Sequence, residues 1–188
     1  MKVTLAENVF ENQDFRFTEE ELIEIRGHQG KYPTVRSAVM PVLWMAQNKF
    51  GWLSKEAMQL VADTLGLSYA HVYGVASFYT MYFKQPVPKY VLDVCTCFAC
   101  GELGGDEVLQ FAKEYTQCDE RGYSKDGLFF FRYAECLGAC DTGPVAQLTN
   151  RHYVHHLTRE SIQELIDQLR AGNEPSFVSI PLVDQSKI

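Results

Sequence analysis

Basic side chains are scarce in this sequence. Its 188 residues carry 17 Lys and Arg against 24 Asp and Glu, a formal charge of −7, and the basic residues are scattered. Neutralising a nucleic-acid backbone takes clustered Lys and Arg, so no nucleic-acid partner is expected. Long apolar runs are missing too. None approaches the roughly 20 residues that a membrane-spanning helix needs, which argues against direct membrane insertion. The opening "MKVTLAENVFENQDF" has no long apolar core and already holds several acids. Secretory signals and Arg-rich transit peptides look different, and the expectation is a cytoplasmic protein. G-x-G-x-x-G after a strand is also absent, as is a glycine-rich phosphate loop with Lys. Nucleotide binding and hydride chemistry are therefore not expected of this chain. With 46% hydrophobic and 22% charged residues, and no internal repeat or low-complexity tract, it reads as globular.

Helical signals fill the first part of the chain. Thr18 and Glu21 are spaced as a capping box ahead of "EEELIEIRGHQGKY", where Glu19, Glu20 and Glu21 are the acids that suit a first turn. "RSAVMPVLWMAQNKFG" repeats apolar residues at helical spacing and stops at Gly51, with Pro41 expected to start or kink the helix. Ser54 can cap "KEAMQLVADTLG", and Ser68 can cap "YAHVYGVASFYTMYF". These four segments predict a small helical bundle over residues 1–85.

Pro86 and Pro88 in "KQPVPKY" break the pattern as a linker. Beyond them "YVLDVC" predicts a strand, "GDEVLQFAKEYTQ" a helix and "GLFFFRYAEC" a second strand. "PVAQLTN" with "HYVHH" predicts a hairpin, and "TRESIQELIDQLRAG" a closing helix that Thr158 can cap. That order is the one expected of a thioredoxin-like α/β domain over residues 86–172, giving an α+β chain overall. Residues 173–188 have no clear period and are expected to be a tail.

Cysteine is where the chemistry gathers. "DVCTCFACGELGG" holds Cys95, Cys97 and Cys100, and "AECLGACDTGP" holds Cys136 and Cys140. Each cluster begins where a predicted strand ends, so two neighbouring strands would bring both to one sheet edge. Glycines follow each and let backbone N–H groups approach sulfur. In a reducing compartment such thiols are metal or redox ligands rather than disulfides. Spacing leaves several chemistries open. Cys97 and Cys100 as C-x2-C, joined by Cys136 and Cys140, suit a zinc-stabilised interaction domain; alone they suit a dithiol oxidoreductase, although "CFAC" lacks a loop proline. Cys95 and Cys100 as C-x4-C with C-x3-C suit the two irons of a 2Fe-2S cluster.

"VCTCFACGELGGDEVLQ", then "ECLGACDTGPVAQL", together with "GWLSKEAMQLVADTLGLSYAHVYGVASFYTMYF" ahead of them, resembles the 2Fe-2S subunit of NADH:quinone oxidoreductase, the NuoE family of respiratory complex I. The resemblance spans roughly residues 18–170. It implies one 2Fe-2S cluster held by Cys95, Cys100, Cys136 and Cys140. It leaves Cys97, where the family commonly carries Thr, and Cys118 outside the motif. It also implies a partner flavoprotein subunit that binds FMN and NADH, further subunits of a peripheral arm, and a position at the cytoplasmic face of the inner membrane through the complex. The chain would then be an oxidoreductase subunit with no turnover of its own. The same module in an NAD-linked hydrogenase or formate dehydrogenase is a close variant.

His152, His155 and His156 are expected to be exposed histidines. Tyr73, Phe78, Tyr79, Tyr82 and Phe83 are expected in a core or a seam, unless exposure marks a partner surface. Glu102, Asp106, Glu135 and Asp141 surround the cysteine stretches and would oppose the addition of an electron there.

Overall fold

Thr18 opens the first helix as its spacing to Glu21 predicts. In the computed structural model, which describes residues 14–173, the Glu21 N–H donates to Thr18 Oγ1 at 3.2 Å and the Thr18 N–H to Glu21 Oε2 at 2.7 Å. Pairing these orphan amides stabilises the helix by about 1 kcal/mol. Glu21 also meets Lys49 Nζ at 2.5 Å, tying helix α1 (Glu19–Gly30) to α2 (Val39–Phe50). A 3-10 turn, Val35–Ala38, leads into α2. Pro41 sits in the first turn of α2, where a missing N–H breaks no helical bond. Gly51 ends the helix at φ 82°, a left-handed conformation natural only to glycine. Helices α3 (Lys55–Leu65) and α4 (Tyr69–Phe78) follow, capped by Ser54 and Ser68. Val42, Leu43 and Ala46 of α2 pack with Val61 and Ala62 of α3 and with Val72 and Ala76 of α4.

Periodicity predicts a helix running on through Phe83, yet α4 ends at Phe78. The buried side-chain amide of Gln47 takes over the backbone there. Its Nε2 donates to Met81 O at 3.0 Å, its Oε1 accepts the Phe83 N–H at 2.6 Å, and Leu53 N–H donates to Phe83 O at 2.7 Å. Tyr82 is buried with its hydroxyl on Met40 O at 2.9 Å. Tertiary bonds replace helical ones, and the aromatic run divides: Tyr82 and Phe83 are core, while Tyr73, Phe78 and Tyr79 are exposed.

The described residues form two compact units, the first ending at Val87 and the second beginning at Pro88. The second is built on a four-stranded sheet of order β2-β1-β3-β4. Its strands are β1 (Tyr90–Cys95), β2 (Phe129–Ala134), β3 (Ala146–Leu148) and β4 (His152–Val154). β1 and β2 are parallel, which requires a crossover, supplied by α5 (Phe98–Glu102) and α6 (Gly105–Tyr115). β3 and β4 form the predicted hairpin, and β3 lies antiparallel to β1. Tyr90, Leu92 and Val94 of β1 and Phe129 and Phe131 of β2 alternate onto one face. There Val108, Leu109 and Ala112 of α6 and Ile162, Ile166 and Leu169 of α7 (Arg159–Arg170) cover them. On the other side of β1, Asp93 faces its register partner Arg132 in a two-pronged ion pair that pins the strands. No helix among the described residues is long and apolar enough to cross a membrane. The expected tail lies outside the described residues from residue 174 onward.

Asp126 joins the turn before β2 to α7. It accepts hydrogen bonds from Ser124 Oγ at 2.6 Å, the Leu128 N–H at 3.1 Å and Arg170 Nε at 2.9 Å. Burial alone would raise its pKa, but these donors outweigh it and hold the carboxyl below the ordinary value. A depressed folded-state pKa contributes stability above the unfolded value of about 3.9, lost as pH falls through the folded one. Asp126→Asn is therefore expected to lower the urea midpoint at pH 7, with the deficit shrinking below about pH 4. A deficit that persists unchanged in acid would contradict the assignment.

Candidate metal centre

The parallel pairing of β1 with β2 places Cys95 opposite Ala134, so both strands release the chain at one sheet edge. Cys95 ends β1 itself, and Cys136 follows two residues after β2. Backbone bonds knit the edge: Thr96 N–H donates to Ala134 O at 3.1 Å, and Cys95 N–H to Val145 O at 2.9 Å. Three stretches of chain thus meet at one place.

The first cysteine stretch is not the open loop its glycines suggest. Phe98–Glu102 forms the short helix α5, with Cys97 extended at its start and the Gly101 N–H bonded to Cys97 O at 2.8 Å. No proline or β-branched residue in "FACGE" opposes that turn. It returns Cys100 to Cys95. Both thiols are about 1% exposed and cluster with Val145. Burial, then the hydrogen bond to Cys95, pushes the Cys100 thiol up, while the Val145 N–H stabilises its sulfur. Glycine makes the approach possible at two points. A Cβ at Gly105 would lie 2.6 Å from Cys95 O and 2.8 Å from Cys100 O, and one at Gly143 would lie 3.2 Å from Cys100 Sγ.

The second pair is exposed. Cys136 Sγ and Cys140 Sγ are 3.4 Å apart, and the Gly138 N–H points at Cys136 Sγ at 3.4 Å. That N–H lowers the Cys136 pKa, and the hydrogen bond with Cys136 raises that of Cys140. Among the described residues no three His, Cys, Asp or Glu side chains gather as a single-ion site; the thiols stand as two pairs. Cys97 is half-buried against the Cys95 and Cys100 cluster. Cys118 packs on the sheet core instead, its Sγ 3.4 Å from Gly122 O, and burial pushes its thiol up.

The histidines differ from expectation. Only His156 is exposed, because β4 ends at Val154 and the chain then runs back along the second cysteine loop. His155 is half-buried with its Nδ1 2.6 Å from Thr142 Oγ1. Thr142 lies inside the second cysteine stretch and His155 among the histidines weighed above, but nothing in the sequence pairs the two. Glu102, Asp106, Glu135 and Asp141 flank the two thiol pairs in the sequence, and all four are exposed. Among them stand three apolar side chains in solvent: Phe98 at 83%, Leu103 at 59% and Tyr133 at 70% exposure.

A mixed sheet with helices on one face and two cysteine pairs at the ends of neighbouring strands is the arrangement of a thioredoxin-like ferredoxin. The chain belongs to the thioredoxin-like 2Fe-2S ferredoxin family, whose model matches residues 25–170. It is 36% identical over 153 residues to an NADH-quinone oxidoreductase subunit of Thermus thermophilus, covering 80% of this chain and 84% of that one. It is 40% identical over 143 residues to an NADH-quinone oxidoreductase subunit of Rickettsia bellii, covering 74% and 85%. The like-named protein of Mycobacterium tuberculosis matches at 38% over 142 residues, 76% of this chain but 56% of its own length, so the chain spans just over half of that relative. In fold it is similar to a crystal structure of an NAD+-reducing NiFe-hydrogenase, with a TM-score of 0.60 and 19% identity over 71% of this chain and 23% of that one.

Proposed function

We propose that this chain is the 2Fe-2S electron-transfer subunit of the NADH-oxidising module of an NADH-quinone oxidoreductase. In this reading Cys95 and Cys100 hold one iron, and Cys136 and Cys140 the other. The observation that carries it is the meeting of two thiol pairs, one buried and one exposed, at a single sheet edge. Paired thiols fit a two-iron group, with one pair for each iron. Bound there, the cluster supplies reversible one-electron transfer at a potential that the protein tunes.

The chain's own groups do the tuning. The Gly138 and Val145 amide hydrogens aimed at sulfur favour the more negative state, whereas Glu102, Asp106, Glu135 and Asp141 disfavour it. The buried pair keeps water from one side of the centre, and the exposed pair opens the other to a partner.

That partner, in this reading, is a flavoprotein subunit carrying FMN and NADH, with further subunits of the peripheral arm beyond it. The complex as a whole brings the chain to the membrane. Supporting the arrangement are the relatives' names and the lack of any nucleotide motif in the sequence. The exposed Phe98, Leu103 and Tyr133 stand where a covering surface would bury them. Neither 96–106 nor 133–145 contains Lys or Arg, so the acids there favour a basic rim on the partner.

NADH added anaerobically is expected to reduce the centre only when the flavoprotein subunit is present. NADH oxidation by the isolated chain, free of flavin, would overturn the reading. Phe98→Ala combined with Tyr133→Ala is expected to weaken the flavoprotein complex about tenfold, roughly 1.4 kcal/mol, by calorimetric titration, with iron content unchanged.

A further inference from the structure

β4 and the segment after it are bonded four times to residues 137–144, the second cysteine loop and the proline that follows it. Tyr153 Oη donates to Leu137 O at 3.1 Å, the His156 N–H to Thr142 O at 2.9 Å, and the Leu157 N–H to Pro144 O at 2.9 Å. The fourth contact joins two side chains, His155 Nδ1 and Thr142 Oγ1, at 2.6 Å. The rings of Tyr153 and His155 lie nearly parallel, 20° apart with centroids at 6.0 Å.

The direction of the fourth bond follows from counting hydrogens. The Thr142 hydroxyl has one, and it is aimed at Ala139 O at 3.1 Å. The same oxygen then accepts from His155, so Nδ1 is the donating nitrogen. Nε2 is buried and has no hydrogen-bond partner among the described residues. The opposite assignment turns the hydroxyl away from Ala139 and buries an unpaired N–H. It makes one bond fewer and leaves the orphan that folded proteins tolerate less. The relay therefore runs from His155 through Thr142 to Ala139, the residue before Cys140, where the Thr142 N–H also bonds at 3.2 Å.

We infer that His155 is a positioning residue for the second thiol pair, fixing the Cys136–Gly143 loop through the Thr142 hydroxyl. The inference rests on the proposed function, because the loop's shape matters only if its thiols hold iron. Outer partners that orient ligands commonly govern metal retention. The contact from the Gly138 N–H to Cys136 Sγ, at 3.4 Å, lies in the same loop and follows its shape.

Three variants of the full chain separate this role from simple packing. His155→Phe keeps a ring against Tyr153 and removes the donor. His155→Asn places an amide N–H where Nδ1–H stood. Thr142→Val keeps the side-chain shape and removes the hydroxyl. Iron release to a chelator, the midpoint potential and thermal unfolding are followed for each. The Phe and Val variants are expected to lose iron about tenfold faster or more, with a displaced midpoint potential and a nearly unchanged unfolding temperature. The Asn variant is expected to behave as wild type. Combining His155→Phe with Thr142→Val should be no worse than either alone, since both cut the same relay. Wild-type iron release in the Phe and Val variants, or loss in Asn equal to that in Phe, would overturn the inference. A wild-type chain that holds no iron and sulfide would overturn the proposed function and this inference with it.

Discussion

Serine in place of any one of Cys95, Cys100, Cys136 or Cys140 is expected to strip most of the iron and sulfide from the purified protein. Thiolates are the soft ligands that an iron–sulfur centre requires, and a serine hydroxyl is both harder and far less acidic. Removing a direct ligand should exceed the ~10–100-fold loss in affinity that outer partners produce. The two pairs should respond differently. Cys95 and Cys100 are buried in one cluster with Val145, so no water can complete the coordination. Cys136 and Cys140 are exposed, and a residual centre of altered spectrum is expected there. Cys97→Ser and Cys118→Ser should keep full content, since Cys97 starts α5 and Cys118 packs on the sheet core. Iron and sulfide analysis across the six variants checks this, and loss in Cys97→Ser alone would replace the ligand set.

Gly105→Ala should damage both the fold and the centre. The added methyl group would meet Cys95 O at 2.6 Å and Cys100 O at 2.8 Å. Both are backbone atoms of thiol-bearing residues, and neither can rotate away. Overpacking of this kind costs about 1–3 kcal/mol and sometimes more, roughly 4–8 °C of melting temperature per kcal/mol in a unit of this size. The displaced carbonyls carry Cys95 and Cys100 with them, so iron content should fall as well. Gly74→Ala is the control. It lies inside α4 with open space around its Cα, and alanine there is expected to be stabilising by about 0.5–1 kcal/mol. Calorimetry of both variants, with iron counted, tests the pair; an unperturbed Gly105→Ala would mean that α5 and α6 meet more loosely than described.

Features with a local cause are legible in the sequence. Thr18 with Glu21, Ser54, Ser68 and Thr158 mark helix starts because a cap bonds amides two or three residues away. Short runs of aliphatic and aromatic residues mark the strands that carry Cys95 and lead to Cys136. Features that depend on residues distant along the chain are not legible. The end of α4 is decided by Gln47, more than thirty residues earlier, whose amide takes Met81 and Phe83 out of helical register. Helix α5 is hidden because glycines on its C-terminal side read as loop. His155 reads as an exposed histidine because its partner, Thr142, is brought to it only by the return of the chain after β4. The glycines at 105 and 143 are visible as glycines, but the atoms they make room for belong to Cys95 and Cys100.

Visible absorption and low-temperature EPR of anaerobically purified protein, before and after dithionite, with iron, sulfide and zinc counted on the same sample, test the electron-carrier reading most directly. About two irons and two sulfides per chain, coloured when oxidised and giving an EPR signal only on reduction, are expected. A colourless protein with one zinc ion and no sulfide would contradict it and make the four thiols a structural site.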